Sequence, residues 1–397
     1  MKVLLISNYN VIEGRGPMFR LINMIPHLNK RCDVVLCSLN EMDSQAKNMA
    51  QNESISYYEI PYITKGWFVQ NIDELVKNIS LICKKENIDL IVLTWEIWDI
   101  AVALQRNINM FNCEFAVVMH SIPFVGSTIK TGNYIIDYIK KIIFEPRFMI
   151  KRYLLSRFLQ VNRYMHEYNI ITMTKTVEKK LNKYFNNIKL YTSYPGYAID
   201  LSAINSVKNK KYIYDYVYMA KFEYGKGIFE VIHIMKELKE LDNDFRFALV
   251  GDFTFKDEEK KFLELLKSNN LESNIDILGW LNDDKKYAVI LESKVFIYPS
   301  FAGDTFSICL LEALACGKQI VCYDVPFVKD NFNISSVHRI GVFDNKSFAQ
   351  KAYEIVNAGD YYSQSSVKFV QQNYSSWKSV ADAEFEVYRR IVGDNNE

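Results

Sequence analysis

The stretch Ser300–Asp324, SFAGDTFSICLLEALACGKQIVCYD, decides the fold. Its apolar run predicts a short helix from Thr305 to Ala315, stopped by Gly317 and followed by a strand at Gln319–Tyr323. Just upstream, VFIYPS at Val295–Ser300 reads as another strand. Asp304 and Thr305 then fall on a strand-to-helix turn at the carboxyl edge of a parallel sheet, where open α/β folds bind ligands. The first helical turn offers unpaired backbone N–H groups and the positive end of the helix dipole, a natural diphosphate site. Glu312 follows two turns later, roughly 12 Å along the axis and about 80° around from Asp304. One carboxylate can thus meet one end of a long polar ligand and the other its far end. Asp304 also fits as a helix N-cap, and Glu312 as a solvent-facing residue. Yet Leu310, Leu311, Ala313, Leu314 and Ala315 surround Glu312 in sequence, so its helix should be buried on most sides. A carboxylate there needs a partner.

Outward from this stretch, strands and helices alternate along the chain, which implies parallel sheets covered on both faces. The first series of strands is expected at Val3–Ser7, Asp33–Ser38, Asp89–Thr94, Phe115–Met119 and Ile170–Met173. The second is expected at Tyr216–Ala220, Phe245–Val250, Ile275–Leu278, Val295–Tyr298 and Ile320–Tyr323. Two α/β Rossmann-like units in tandem account for both, with a linker near Tyr194–Asp200, where Pro195 and Gly196 punctuate the pattern. The expected domains are 1–195 and 200–375. Ser375–Val392 reads as a closing amphipathic helix, with Trp377, Val380, Ala381, Phe385 and Tyr388 near helical period.

Bulk properties exclude several classes. The 397 residues suffice for two full cores, and 49% hydrophobic with 24% charged residues is ordinary for a globular chain. Seven cysteines without C-x-x-C spacing argue against structural zinc and against a disulfide framework, so an intracellular, cytoplasmic chain is expected. MKVLLISNYN enters a strand at once, and no run of 18 apolar residues occurs, so no membrane span is expected. The net charge of +1 hides an asymmetry: residues 130–189 hold 13 Lys/Arg against 4 Asp/Glu. Tyr134–Glu145 and Arg147–Tyr168 read as amphipathic helices with basic faces. Lys140, Lys141, Lys151 and Arg152 are candidates for contact with an anionic membrane surface from the cytoplasmic side; a solvated face is the plainer alternative. No nucleic-acid motif accompanies them.

Other constellations bear on chemistry. Met219–Gly227, MAKFEYGKG, puts Lys221 and Lys226 on a loop at the carboxyl edge of a sheet, where two ammonium groups and a flexible turn can neutralise a diphosphate without metal. Gly14-Arg15-Gly16 precedes a helix expected near Pro17, but Phe19 stands where a dinucleotide fingerprint needs its third glycine. A glycine loop there can still let a phosphate or an acceptor approach. His120 follows a strand, as a core residue or a site residue, with Glu96 and Asp99 as weaker candidates. Asp242-Asn243-Asp244 matches a metal motif by letter but lies at the amino edge of its sheet and reads as a turn.

The segment from Asp304 to Val321 resembles the retaining glycosyltransferases of family 4. The match rests on Glu312, Ala313, Ala315, Gly317, Ile320 and Val321, with Pro299-Ser300 upstream. Asp304 stands where the family has its first Glu, Ser307 replaces a Gly, and Gln319 replaces a Pro. The resemblance implies a GT-B fold, two Rossmann-like domains facing each other across a cleft. The first would bind the acceptor, the second would bind the nucleotide sugar, and the helix 376–397 would pack back on the first. It implies metal-independent transfer of a hexosyl unit from a nucleoside diphosphate sugar, with retention, to a glycan or lipid-linked acceptor. It places Lys221, in place of an Arg, and Lys226 on the donor diphosphate. Thr305, Phe306 and Ser307 would join them at the helix start. Glu312 would hold the ribose, Asp304 the sugar hydroxyls, and His120 would face the sugar. Gly14, Gly16, Gly251, Gly279 and Trp280 would complete the donor site, Trp280 beside the base. A nucleotide-sugar 2-epimerase or a catalytically silent partner subunit shares the fold; intact Lys221, Lys226 and Glu312 count against silence.

Overall fold

The computed structural model describes residues 1–9, 11–65, 68–95, 97–120, 159, 161–207, 211–281, 283–301 and 306–393. The chain divides into two compact units, Met1–Ala198 with Ser376–Glu397, and Ile199–Ser375.

The first unit is built on β1 (Lys2–Ser7), β2 (Asp33–Ser38), β3 (Ser56–Glu59), β6 (Leu90–Leu93), β7 (Glu114–Met119), β8 (Asn169–Thr172) and β9 (Lys189–Thr192). They pair in the order β3-β2-β1-β6-β7-β8-β9, all parallel. A separate two-stranded ribbon joins β4 (Thr64–Lys65) to β5 (Phe68–Val69). The middle strands are unbroken apolar runs, VLLI at 3–6 and LIVL in β6, because helices cover both faces of the sheet.

The second unit repeats the plan with β10 (Tyr214–Met219), β11 (Phe247–Val250), β12 (Ile275–Ile277), β13 (Ser293–Tyr298), β14 (Gln319–Tyr323) and β15 (Val337–Ile340). The order is β12-β11-β10-β13-β14-β15, again all parallel. Each sheet starts in its middle and reverses direction once, between β1 and β6 and between β10 and β13. Those reversals are the topological switch points where such sheets take ligands.

Three edge strands, β3 (SYYE), β9 (KLYT) and β15 (VHRI), carry no apolar run and were not signalled by pattern. An edge strand is half solvated, so its sequence need not be apolar. Two expectations are corrected. Gly14 and Gly16 do not form a loop: the helix already runs from Val11 to Leu28, and a side chain at Gly16 would meet nothing within 4 Å. The helix expected from Thr305 begins at Ile308, with Ser307 as its N-cap accepting the Leu310 N–H at 3.3 Å. No described helix is long and apolar enough to cross a membrane.

The closing helix, Trp377–Gly393, packs on the helix Val11–Leu28. Glu384 lies in its buried stripe and is tolerated there because Arg20 meets it, Nη2 to Oε2 at 2.7 Å, with both side chains almost fully buried. Arg20 Nε also donates to Gly196 O at 2.7 Å, and Tyr388 donates to Glu384 Oε1 at 2.9 Å. Arg20→Met should therefore strand a buried carboxylate and lower the unfolding free energy of this unit by about 3–5 kcal/mol. Urea titration of Arg20→Met and of the Arg20→Met/Glu384→Leu pair checks it, because the pair should recover most of the loss.

Candidate functional site

At the switch point of the second sheet, β10 and β13 release their chains side by side. The loop after β10 carries Lys221 and Lys226 and ends at Gly227, whose φ of +82° suits glycine. A Cβ at Gly227 would lie 2.1 Å from Pro299 O. The same two segments are tied by Phe301 N–H to Gly225 O at 3.2 Å and by Ser300 Oγ to Gly225 O at 3.3 Å. Tyr218 closes the loop from below, donating to Lys226 O at 3.0 Å. Lys221 pairs with Glu223 at 2.8 Å and is about half exposed, whereas Lys226 is half-buried.

A second glycine contact extends this edge. Gly251, after β11, has φ +144°, and a Cβ there would lie 1.9 Å from Ala220 O. Its N–H donates to Gly279 O at 2.9 Å, so the exits of β10, β11 and β12 are stitched through backbone. Gly279 itself sits at φ +67° and turns the chain to present Trp280, 45% exposed.

The helix Ile308–Ala315 follows β13. Glu312 is 3% exposed within it. Its partner is Lys286, from the helix Asp283–Leu291, with Nζ 2.6 Å from Oε1. Tyr287 OH reaches the same oxygen at 3.5 Å. Pattern alone did not single out Lys286 or Tyr287. The signal available was the requirement that a buried carboxylate have a cation nearby. Burial pushes the Cys309 thiol up to about 12; Glu312 adds to the rise, while Lys226 and Lys286 oppose it. The Lys226 loop touches the segment that leads from β13 towards this helix, Gly227 lying against Pro299 O and Gly225 O accepting from Phe301 N–H, so Lys226 and the Lys286–Glu312 pair stand at one sheet exit.

Other candidates are placed differently. The Phe306 ring packs against Phe327, Phe332 and Tyr374 at 5.7–5.8 Å, and the Ser307 hydroxyl is spent on its cap. Any ligand contact from these two is then left to the backbone. His120, in the first unit, has Nε2 3.2 Å from Thr94 O, linking the exits of β7 and β6. Asp99 is buried in the helix Trp98–Arg106. Asp304, Thr305, Glu96, Lys140, Lys141, Lys151 and Arg152 lie outside the described residues. Asp242–Asp244 is a turn, closed by Asp244 N–H to Asp242 Oδ1 at 2.9 Å. Among the described residues no cluster of three or more His, Cys, Asp or Glu could hold a metal.

One feature without a sequence signal is an aromatic row along this edge. Tyr224 meets Phe301 at 5.2 Å, and Phe301 meets Phe343 at 5.1 Å. Phe343 adopts φ +67°, a strained conformation for a bulky residue.

Residues 202–355 match the family model described as glycosyl transferases group 1. Over 167 residues the chain is 26% identical to an uncharacterized glycosyltransferase of Methanocaldococcus jannaschii, covering 41% of this chain and 42% of the relative. Over 92 residues it is 34% identical to a Campylobacter jejuni enzyme, N-acetylgalactosamine-N,N'-diacetylbacillosaminyl-diphospho-undecaprenol 4-alpha-N-acetylgalactosaminyltransferase, covering 23% of each. The chain thus spans less than half the length of these curated relatives. Solved structures align over nearly all of it. A glycosyltransferase from Rickettsia africae gives a TM-score of 0.72 at 16% identity, with 98% of each chain covered. Anabaena HepE, in complex with UDP and glucose, gives 0.69 at 14% identity, covering 98% of this chain and 99% of that one. The two parallel-sheet Rossmann-like halves are those of the GT-B fold.

The backbone approach at Gly227 makes a direct prediction. Gly227→Ala should strain the loop and push it off Pro299, costing about 2 kcal/mol or more in the second unit. Gly341→Ala, with no contact closer than 3.8 Å, should stay within about 0.5 kcal/mol of wild type in the same thermal melt.

Proposed function

We propose that the protein is a GT-B glycosyltransferase that takes a nucleoside diphosphate sugar as donor and transfers a hexosyl unit, with retention, to a hydroxyl of a lipid-linked or polysaccharide glycan. The observation that carries this reading is that the Lys226 loop is fastened to the Pro299–Phe301 segment, which leads to helix Ile308–Ala315 and buried Glu312, at the switch point of one sheet. The HepE complex with UDP and glucose makes UDP-sugars the first donors to try. The diphospho-undecaprenol in the Campylobacter jejuni relative's name suggests a lipid-linked acceptor. Retention follows the family resemblance.

In this mechanism the lysine loop and the helix start stabilise the diphosphate as it leaves. That is where negative charge grows, so preorganised donors there lower the barrier most. Lys226 supplies an ammonium, and the N–H groups of Ile308 and Cys309 lie outside the intrahelical ladder. Glu312 orients the ribose, and Asp304 holds sugar hydroxyls. Lys221, paired with Glu223, adds charge at the loop's outer side. These cations and the helix dipole take the place of a metal.

The test is a panel of UDP-, GDP- and ADP-sugars scored for hydrolysis and for thermal stabilisation. Lys226→Ala and Glu312→Ala should each lower turnover about a hundredfold, on the order of 3 kcal/mol, with the fold retained. Activity should survive EDTA; near-native turnover in either variant, or a strict Mg²⁺ or Mn²⁺ requirement, contradicts the assignment.

A lipid-linked acceptor would be met at a bilayer surface, and each Lys or Arg of the 130–189 segment that comes near an anionic leaflet would add about 1 kcal/mol of attraction. The protein should co-sediment with anionic liposomes at low salt, come off as ionic strength rises, and ignore neutral ones. Charge reversal at Lys140, Lys141, Lys151 and Arg152 should abolish sedimentation and spare activity on a short soluble acceptor.

A further inference from the structure

We infer that Lys286 is a positioning residue: it fixes the Glu312 carboxylate so that Oε2 is the oxygen presented to the ribose hydroxyls. This rests on the proposed role of Glu312 and goes beyond it, because Lys286 belongs to a different helix and to no part of the motif that marked Glu312.

The geometry is one-sided. Lys286 Nζ and Tyr287 OH both approach Oε1, at 2.6 and 3.5 Å, and neither takes Oε2. The Lys286 side chain is only 17% exposed, so the pair is little screened by water. Leu310, Leu311, Ala313 and Leu314, all buried, crowd the helix on either side of Glu312. A buried carboxylate in such surroundings calls for a cation beside it. A short contact to one oxygen also stops the group from turning about its Cγ–Cδ bond. The remaining oxygen then has one direction in which to accept hydrogen bonds, and a vicinal diol is the ligand that uses such an acceptor twice.

The chain path adds a second consequence. The helix Asp283–Leu291 begins three residues after Trp280, the exposed indole expected beside the base. One short segment thus carries both the base contact and the cation that aims the ribose contact. Settling the base against Trp280 and holding Glu312 in place would draw on the same piece of chain.

The experiment measures binding of UDP and of 2′,3′-dideoxy-UDP to the full chain by calorimetry. Wild type should prefer UDP about tenfold or more, the worth of hydrogen bonds to a charged acceptor. Lys286→Met should cut that preference to about twofold or less while leaving dideoxy-UDP affinity unchanged, and Lys286→Arg should restore most of it. A Lys286→Met protein with the full wild-type preference overturns the inference and leaves Lys286 a counterion only. Glu312→Gln separates the two levels: if it too keeps the preference, the reading of the site falls and the inference with it; where the sugar panel selects GDP or ADP, that nucleotide and its 2′,3′-dideoxy form replace the uridine pair. Lys286→Met leaves a buried charge and risks misfolding, so the Lys286→Met/Glu312→Gln pair, neutral at both positions, gives an independent arm. It should bind UDP as Glu312→Gln does; binding more than about threefold weaker means that Lys286 acts other than through Glu312, which also overturns the inference.

Discussion

The ligand edge of the second unit depends on two backbone approaches that allow no side chain. Gly227 lies against the Pro299 carbonyl and Gly251 against the Ala220 carbonyl, at separations where a Cβ would sit 2.1 and 1.9 Å from oxygen. These contacts bring the exits of β10, β11 and β13 together. The lysine loop, the turn before Ile308–Ala315 and the Gly279-Trp280 segment are held by that union. Because the ties are main chain to main chain, the surrounding side chains are left for other tasks. Tyr224, Phe301 and Phe343 form a row on this edge, and Lys226 stays half-buried.

Two buried carboxylates show how similar chemistry is put to different ends. Glu384 and Glu312 each stand in the apolar stripe of a helix, and each is met by a cation from another element. Glu384 uses both oxygens, one for Arg20 and one for Tyr388, and Arg20 has a further acceptor in Gly196 O. That network is closed, as a fastening should be, and it ties the end of the chain to its beginning. Glu312 takes both of its contacts on one oxygen. A carboxylate held from one side only is a poor fastening but a good acceptor. The difference in satisfaction separates a structural pair from one suited to a ligand, where burial and distance alone would not.

The repeating α/β pattern was legible because buried parallel strands must be apolar throughout, and VLLI, LIVL and VFIY say so without help. The edge strands SYYE, KLYT and VHRI were silent because half their surface meets water. The carboxylate Glu312 was legible, since an acidic residue among leucines and alanines demands an explanation. Its partner was not: Lys286 lies 26 positions upstream in a helix that reads DDKKYAVIL, where either lysine fits a solvated face. Gly14-Arg15-Gly16 misled, because glycines near a helix start look like a loop when the only guide is flexibility. The chain takes them into the first turns of a helix instead. Phe343 gave no warning, since its φ of +67° is a single-residue feature and its ring neighbours, Phe301 and Tyr323, lie far away in sequence.

Phe306 and Ser307 show why motif letters are a poor guide to which atoms touch a ligand. Both precede a helix start suited to phosphate, and both look like contacts. Phe306 instead drives its ring into Phe327, Phe332 and Tyr374, and Ser307 caps the Leu310 N–H. Each fixes the direction in which the helix leaves the sheet. The groups they orient are the backbone N–H bonds of Ile308 and Cys309, which any residue but proline supplies. Substitution at Phe306 or Ser307 would therefore act on a bound anion through helix direction, while substitution at Ile308 or Cys309 would leave the peptide dipoles in place. Specific letters are needed where the helix is aimed, and the anion site itself is written in backbone.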